Sequence, residues 1–281
     1  MRNNPTGRQL RLGTELRKLR ERAGLTSTQA SKLLGVQQNQ ISNVEAGRAG
    51  VSPERVRALA CHYDCGDRTL VSALSDMAAE RIRGWWEEYR EILPGGLVDL
   101  AEMEHHATRL TAGITAHIPG QLQIHDHARE VFRQVVPELS PPDIEHRLSF
   151  RIKRQAVLFN DAPTPYRAVI HEAALRMQFG GPAVTKKQLR HILDMSDHPH
   201  IAVQVIPFAA GAYPGSGQSI LYAHGTVSPL DTVHLDQSHG SALLDAEAQL
   251  DKYRVLLERM TDLALEPHAT REFIHAITQD L

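Results

Sequence analysis

Cysteine is nearly absent from this chain: 281 residues include only Cys61 and Cys65. That excludes a disulfide framework and points to a reducing compartment. Long apolar runs are absent too. No stretch approaches the roughly 18 apolar residues that a membrane span needs, so no membrane is expected among its partners. The opening residues, MRNNPTGRQLRLG, lack the apolar core of a secretory signal. A cytoplasmic protein is expected. The 42% apolar content can bury a real core, and the length suits two domains of ordinary size.

Complete catalytic and metal motifs are missing as well. HEAAL at His171-Glu172 opens like a zinc-protease helix but has no second histidine. GAYPGSG, Gly211 to Gly217, lacks the Lys-Ser/Thr ending of a phosphate loop and the pattern of a nucleophile elbow, so it reads as a turn or a rim. Cys61 and Cys65, with His62 between them, lack a second pair of zinc ligands. A buried Cys61 and a helix-end Cys65 are expected instead. No Asp, Glu or Cys motif completes a metal site at His125-x-His127 or His198-x-His200, and these histidines read as solvent-exposed. No enzyme, no metal and no cofactor are expected.

Net charge is small too, −2, but it is unevenly spread. Residues 1–60 carry 11 Lys/Arg and 4 Asp/Glu, while the remainder carries 20 and 29. A basic head on an acidic body suits a chain in which one part meets a polyanion. In the head, Leu10, Leu12, Leu16 and Leu19 suggest one stripe of a basic amphipathic helix ending at Gly24. Thr26 and Gln29 make a capping box for a second helix, with Ala30, Leu33 and Leu34 inward and Gly35 at the turn. A third, in GVQQNQISNVEAG, buries Ile41 and Val44 and leaves Gln38, Asn39, Ser42 and Asn43 outside. Ser52 and Pro53 open a fourth. Two short helices joined by a glycine turn make a helix-turn-helix, whose second helix enters the major groove. Gln and Asn can bond bidentately to adenine there.

The segment LTSTQASKLLGVQQNQISNVEAGR resembles the phage-repressor (XRE/Cro) type of DNA-binding domain. The landmarks are Leu25-Thr26, Leu34-Gly35-Val36, Ile41-Ser42, Glu45 and Gly47. The resemblance implies base contacts from Gln37, Gln38, Asn39 and Asn43, and positions near the phosphates for Thr26, Ser27 and Arg48. It also implies a structural ion pair between Arg20 and Glu45. Ser27 stands where the family usually has Gln, and Gln37 where it has a small hydroxyl residue. Glutamine caps less well than serine but reaches farther.

CGDRTLVSALSDMAAERIRGWWEEYREIL predicts a connector of one long helix, or two joined near Gly84, with Trp85 and Trp86 as packing residues. Beyond it, helical stretches alternate with strand-like ones such as AGITAHIP, IAVQVIPF, QSILYAH and DTVHLDQ, and LLDAEAQLDKYRVLLERMTDLAL and ATREFIHAI close as helices. The fold class is a mainly α helix-turn-helix bundle followed by an α+β C-terminal domain. The domains are 1–65, a 66–97 connector, and 98–281.

RGWWEEYREILP, IPGQLQIHDHARE, RIKRQAVL, AVIHEAALRMQFGGPAVTKKQLRHIL and IAVQVIPFAAGAYPGSGQSILYAH are similar to the C-terminal domain of a large actinobacterial family of antitoxin-like, WhiJ-like regulators. Gln121, Ile124 and His127-Ala128-Arg129 depart from that family's usual VPGLLQT and Tyr-Ala-Arg. The resemblance implies transcriptional control in development, often with a small BldB-like protein encoded nearby. The expectation is a homodimeric, nucleoid-associated repressor on a palindromic operator in double-stranded DNA, switched by a protein partner or a small-molecule effector. The alternative is an antitoxin-like protein that neutralises a small partner and autoregulates its operon. The glycine loop, with Tyr213, Gly215, Gly217 and nearby Tyr222, is the candidate ligand or partner contact.

Overall fold

The computed structural model describes residues 5–80, 84–215, 217–237 and 240–281. They form two compact units, divided in the chain after Glu87. The first holds five helices: α1 (Gly7–Arg22), α2 (Ser27–Leu33), α3 (Gln38–Glu45), α4 (Pro53–His62) and α5 (Arg68–Ala79). Four open on a side-chain cap, from Thr6, Thr26, Ser52 and Asp67, each accepting a backbone N–H three residues on. Leu12, Leu16, Leu19, Val56, Leu59, Leu70 and Leu74 fill the core, where α1 packs on α3, α4 and α5.

Several inward assignments change. Leu10 is 43% exposed because it sits about 200° around the helix from Leu12. Leu33 is 52% exposed, since α2 buries the arc holding Ala30 and Ser31 and Leu33 falls outside it. Val44 is half-buried. Cys61 is exposed, because α4 turns Val56, Leu59 and Ala60 inward instead. The stretch read as a connector divides. α5 packs on α1 and α4 and stops at Ala79, and Trp85–Tyr89 is a short 3-10 turn, so no single helix runs through it. The described boundary near Gly84 follows residues 81–83, which lie outside the described set. Including α5 also trims the basic surplus: residues 5–80 carry 11 Lys/Arg and 8 Asp/Glu.

The second unit runs α6 (Gly95–His106), β1 (Arg109–Ile114), α7 (His125–Arg133), α8 (Pro141–Arg154), β2 (Tyr166–His171), α9 (Glu172–Arg176), α10 (Gly181–Met195), β3 (Ile201–Ile206), β4 (Ser219–His224), β5 (Thr232–Gln237), β6 (Gly240–Leu244), α11 (Glu247–Leu263) and α12 (Pro267–Asp280). The six strands form one sheet in the order β3-β2-β1-β4-β5-β6. β1, β2 and β3 are parallel, with Leu110 opposite Tyr166 and Tyr166 opposite Ile201. β4, β5 and β6 continue as an antiparallel meander, β4 pairing with β1. Alternation sends Leu110, Ala112, Leu221 and Ala223 against α10 and α12, and Ile220, Tyr222, Val233 and Leu235 against α11. α11 crosses β1 so closely that a Cβ at Gly113 would lie 2.9 Å from Leu257 and Met260. Two sheet boundaries differ from the sequence reading. β1 starts at Arg109, ahead of AGITAHIP, and Leu243-Leu244 belong to β6 and not to the helix that follows. No described helix is long and apolar enough to cross a membrane.

Candidate nucleic-acid interface

The outer face of α3 follows from helical geometry. At about 100° per residue, Gln38, Asn39, Ser42 and Asn43 share one arc, and all four are exposed. Ile41, at 4% exposure, anchors the opposite side. Gln37 lies just ahead of the helix and is exposed, its N–H donating to Gln40 Oε1 at 3.3 Å. Arg48, past the helix end, is exposed.

Two devices hold α3 at this angle. Arg20 on α1 grips Glu45 through two parallel bonds, Nε–Oε1 at 2.6 Å and Nη2–Oε2 at 2.8 Å, and its Nη1 donates to the Leu25 carbonyl at 2.6 Å. The Glu45 carboxylate raises the Arg20 pKa further. The second device is glycine. A Cβ at Gly13 would sit 2.5 Å from the Glu45 carbonyl oxygen, and one at Gly47 would sit 3.1 Å from the Gln9 backbone. Gly47 also adopts φ +67°, which suits glycine. The C-terminal end of α3 therefore docks backbone to backbone on α1. Gly47 was legible as a landmark; Gly13, inside a helix, was not.

Between α2 and α3, Gln38 Nε2 donates to Ser27 Oγ at 3.1 Å. The Thr26 hydroxyl is engaged in its own cap: it accepts from the Gln29 N–H at 3.2 Å and donates to Gln29 Oε1 at 2.9 Å. The basic residues of α1 are largely neutralised where they stand. Arg8 pairs with Glu80 at 2.9 Å, Lys18 with Glu15 at 2.7 Å and Arg17 with Glu21 at 2.7 Å. Among the described residues, Lys32, Arg48 and Arg55 are exposed cations outside these pairs.

In the second unit the structure separates the residues of the glycine loop. Tyr222 is fully buried, so it is a core residue and no part of a surface contact. Its hydroxyl donates to Asp231 Oδ2 at 2.7 Å and accepts from Arg254 Nε at 2.9 Å, and burial pushes its pKa up to about 12. Tyr213 is half-buried, edge-on to His171 at 5.4 Å. Gly215 and Gly217 take φ of +89° and +77°, and the Gly217 carbonyl accepts from the Thr115 hydroxyl at 2.7 Å. His171 caps α9 through Nδ1, and buried Glu172 accepts the Phe208 N–H at 2.7 Å. HEAAL is thus a structural corner.

A buried polar centre went unread in the sequence. Glu104, wholly buried on α6, is bonded by Arg154 Nε at 2.7 Å and also by Arg154 Nη2 and Gln121 Nε2. Gln188 Nε2 donates to the Leu122 carbonyl at 2.6 Å while its Oε1 accepts the Ile124 N–H at 2.8 Å. Gln155 Nε2 donates to the Gly120 and Gln123 carbonyls. His127, read as exposed, is 1% exposed because α7 turns it inward beside Ala128. The only sequence signal for this centre was the run of glutamines in PGQLQ.

Comparison with known families gives two matches. A model described as a helix-turn-helix domain matches residues 11–74, from α1 into α5. A model described as a domain of unknown function (DUF5753) matches residues 97–276, from α6 into α12. No curated protein and no solved structure matches the chain.

Proposed function

The chain belongs to the DUF5753 family, and we propose that in it this domain governs a head that reads DNA sequence. The helix-turn-helix domain marks a DNA-binding transcription regulator. The observation that carries the finer reading is the Ser27–Gln38 bond. It uses one amide N–H of Gln38. Among the described residues the other N–H and Oε1 have no partner, and those are the two groups that pair with adenine N7 and N6. The Ser27 hydroxyl, while accepting, keeps its own proton for a phosphate oxygen. Ser27 thus makes up for the missing glutamine by orienting Gln38. Gln37, Asn39 and Asn43 supply further base contacts, and Arg48 a phosphate contact.

In this reading the protein acts in the cytoplasm, on the nucleoid, without catalysis of its own. It is a repressor whose two copies read a palindrome with half-sites about one helical turn apart. The second unit binds a small protein partner or effector with different affinity in the DNA-competent and incompetent states. A genome-wide occupancy map, made with and without the neighbouring small-protein gene, tests this. Sharp peaks over a shared palindrome that move or vanish with the neighbour are expected. The absence of peaks in both strains contradicts the reading.

A further inference from the structure

We propose that the second unit binds a small anion, a carboxylate or phosphate carried on a flat molecule, at Arg151, between the rings of His117, Phe179 and His127. As the effector site of the regulator it rests on the reading above; as a binding site it stands on geometry alone.

Arg151 and Arg154 leave α8 one turn apart and meet different fates. Arg154 takes the Glu104 carboxylate. Arg151 has the neutral Gln123 Oε1 at 2.7 Å and lies 4.8 Å over the Phe132 ring. Among the described residues no carboxylate forms an ion pair with it. Glu104, already bonded by Arg154, and Asp236, at the end of β5, act on Arg151 through their charge without closing a bond, and Asp236 acts on His117 as well. The guanidinium packs so tightly over Gly120 that a Cβ there would lie 3.2 Å from Nη1. A half-buried guanidinium without a hydrogen-bonded carboxylate is costly, and a bound anion reduces that cost.

The surroundings fit such a guest. His117 stacks on Phe179 at 5.4 Å, and His127 meets the same ring edge-on at 5.4 Å. Neither ring nitrogen of the buried His127 has a hydrogen-bond partner. Burial lowers the His127 pKa to about 4, so its imidazole is neutral at pH 7 and has one N–H to donate. His117 is exposed and Arg151 partly so, which leaves a way in from solvent. His117, Gly120 and Gln123 follow β1, and Phe179 follows β2. The cluster therefore lies off the carboxyl ends of parallel strands, where open α/β sheets take their ligands.

The test is a titration of the purified full chain, without DNA, with sodium benzoate and separately with sodium phosphate. Calorimetry reads the heat, and NMR reads the Arg151 Nε–H and the His117 and His127 ring signals. Saturable binding of at least one anion is expected, with those signals moving together. Arg151→Gln should weaken it at least tenfold, and Arg151→Lys less. Arg254→Gln, on α11, should leave it unchanged. His117→Ala, at an exposed position, should weaken it severalfold and covers the case in which Arg151→Gln does not fold. No saturable response to either anion, or equal binding by folded Arg151→Gln, overturns the proposal. Because no DNA is present, the outcome is independent of whether the head reads sequence. A change in operator affinity when the bound anion is added is the separate readout that links the two.

Discussion

The same side chain, glutamine, does opposite work in the two units. In the first, Gln37 and Gln38 stand in water at the start of α3, and Ser27 steadies one of them from the side. In the second, Gln123 and Gln188 are buried and hold the chain from Ile118 to Ile124 by its own carbonyls and N–H groups, while buried Gln121 donates to Glu104. Charge follows the same division. Arg8 and Arg17 of α1 pair near the surface, whereas Glu104 and Arg154 meet in the interior. One unit keeps polar groups available to a partner, and the other uses them to fix a loop at the end of the sheet.

The comparison is easiest to break at Glu104. Glu104→Ala strands a buried guanidinium and should cost about 3–5 kcal/mol. The loss should appear only in the second unit. Urea unfolding followed by residue-resolved hydrogen exchange would show it, with α1 to α4 protected as before.

Acid should separate the units next. Burial holds His127 at about 4, and the half-buried His224 is lowered to about 4 as well. Both folded values lie below the ordinary 6.5, so between these pH values the unfolded chain binds more protons. Stability is therefore complete above about 6.5 and lost as pH falls toward 4. His127 alone contributes up to roughly 3 kcal/mol. The first unit has one histidine among its described residues, the exposed His62. Its melting temperature should vary less over this range, and His127→Phe should flatten the profile of the second unit.

The glutamines can be compared directly. Gln188→Ala removes an amide bonded on both sides and should cost about 2–3 kcal/mol of second-unit stability. DNA affinity per folded molecule should not change. Gly13→Ala drives a methyl into the Glu45 carbonyl and should cost the first unit roughly 1–3 kcal/mol, despite alanine's better helix propensity. Thermal melts check both. Gln38→Ala should leave stability within about 0.5 kcal/mol, as an exposed substitution does. It should still lose about 1–3 kcal/mol of discrimination at one base position.

What the sequence made legible was local. Caps at Thr26 and Ser52, the glycine turn after α2, and strands such as IAVQVIPF carry their signals within a few residues. Burial that depends on distant partners was not legible. Cys61 and Leu33 point outward because short helices bury a narrow arc chosen by their neighbours. His127 is buried because α7 turns it inward against the ring of distant Phe179, and nothing within HDHARE says so. β6 was hidden because GSALL has one strand neighbour and runs straight toward the following helix. At the site, the amide face of α3 could be read from spacing. The Ser27–Gln38 bond spans eleven residues and needed the fold.

The most direct test of the central claim is selection of binding sites from random duplex DNA by the purified full chain, run beside Gln38→Ala. The account predicts one enriched palindrome with adenine-containing half-sites for the wild type, and relaxed preference at a single position per half-site for the variant. Failure of the folded wild type to enrich any sequence, or identical preferences for both proteins, would contradict it.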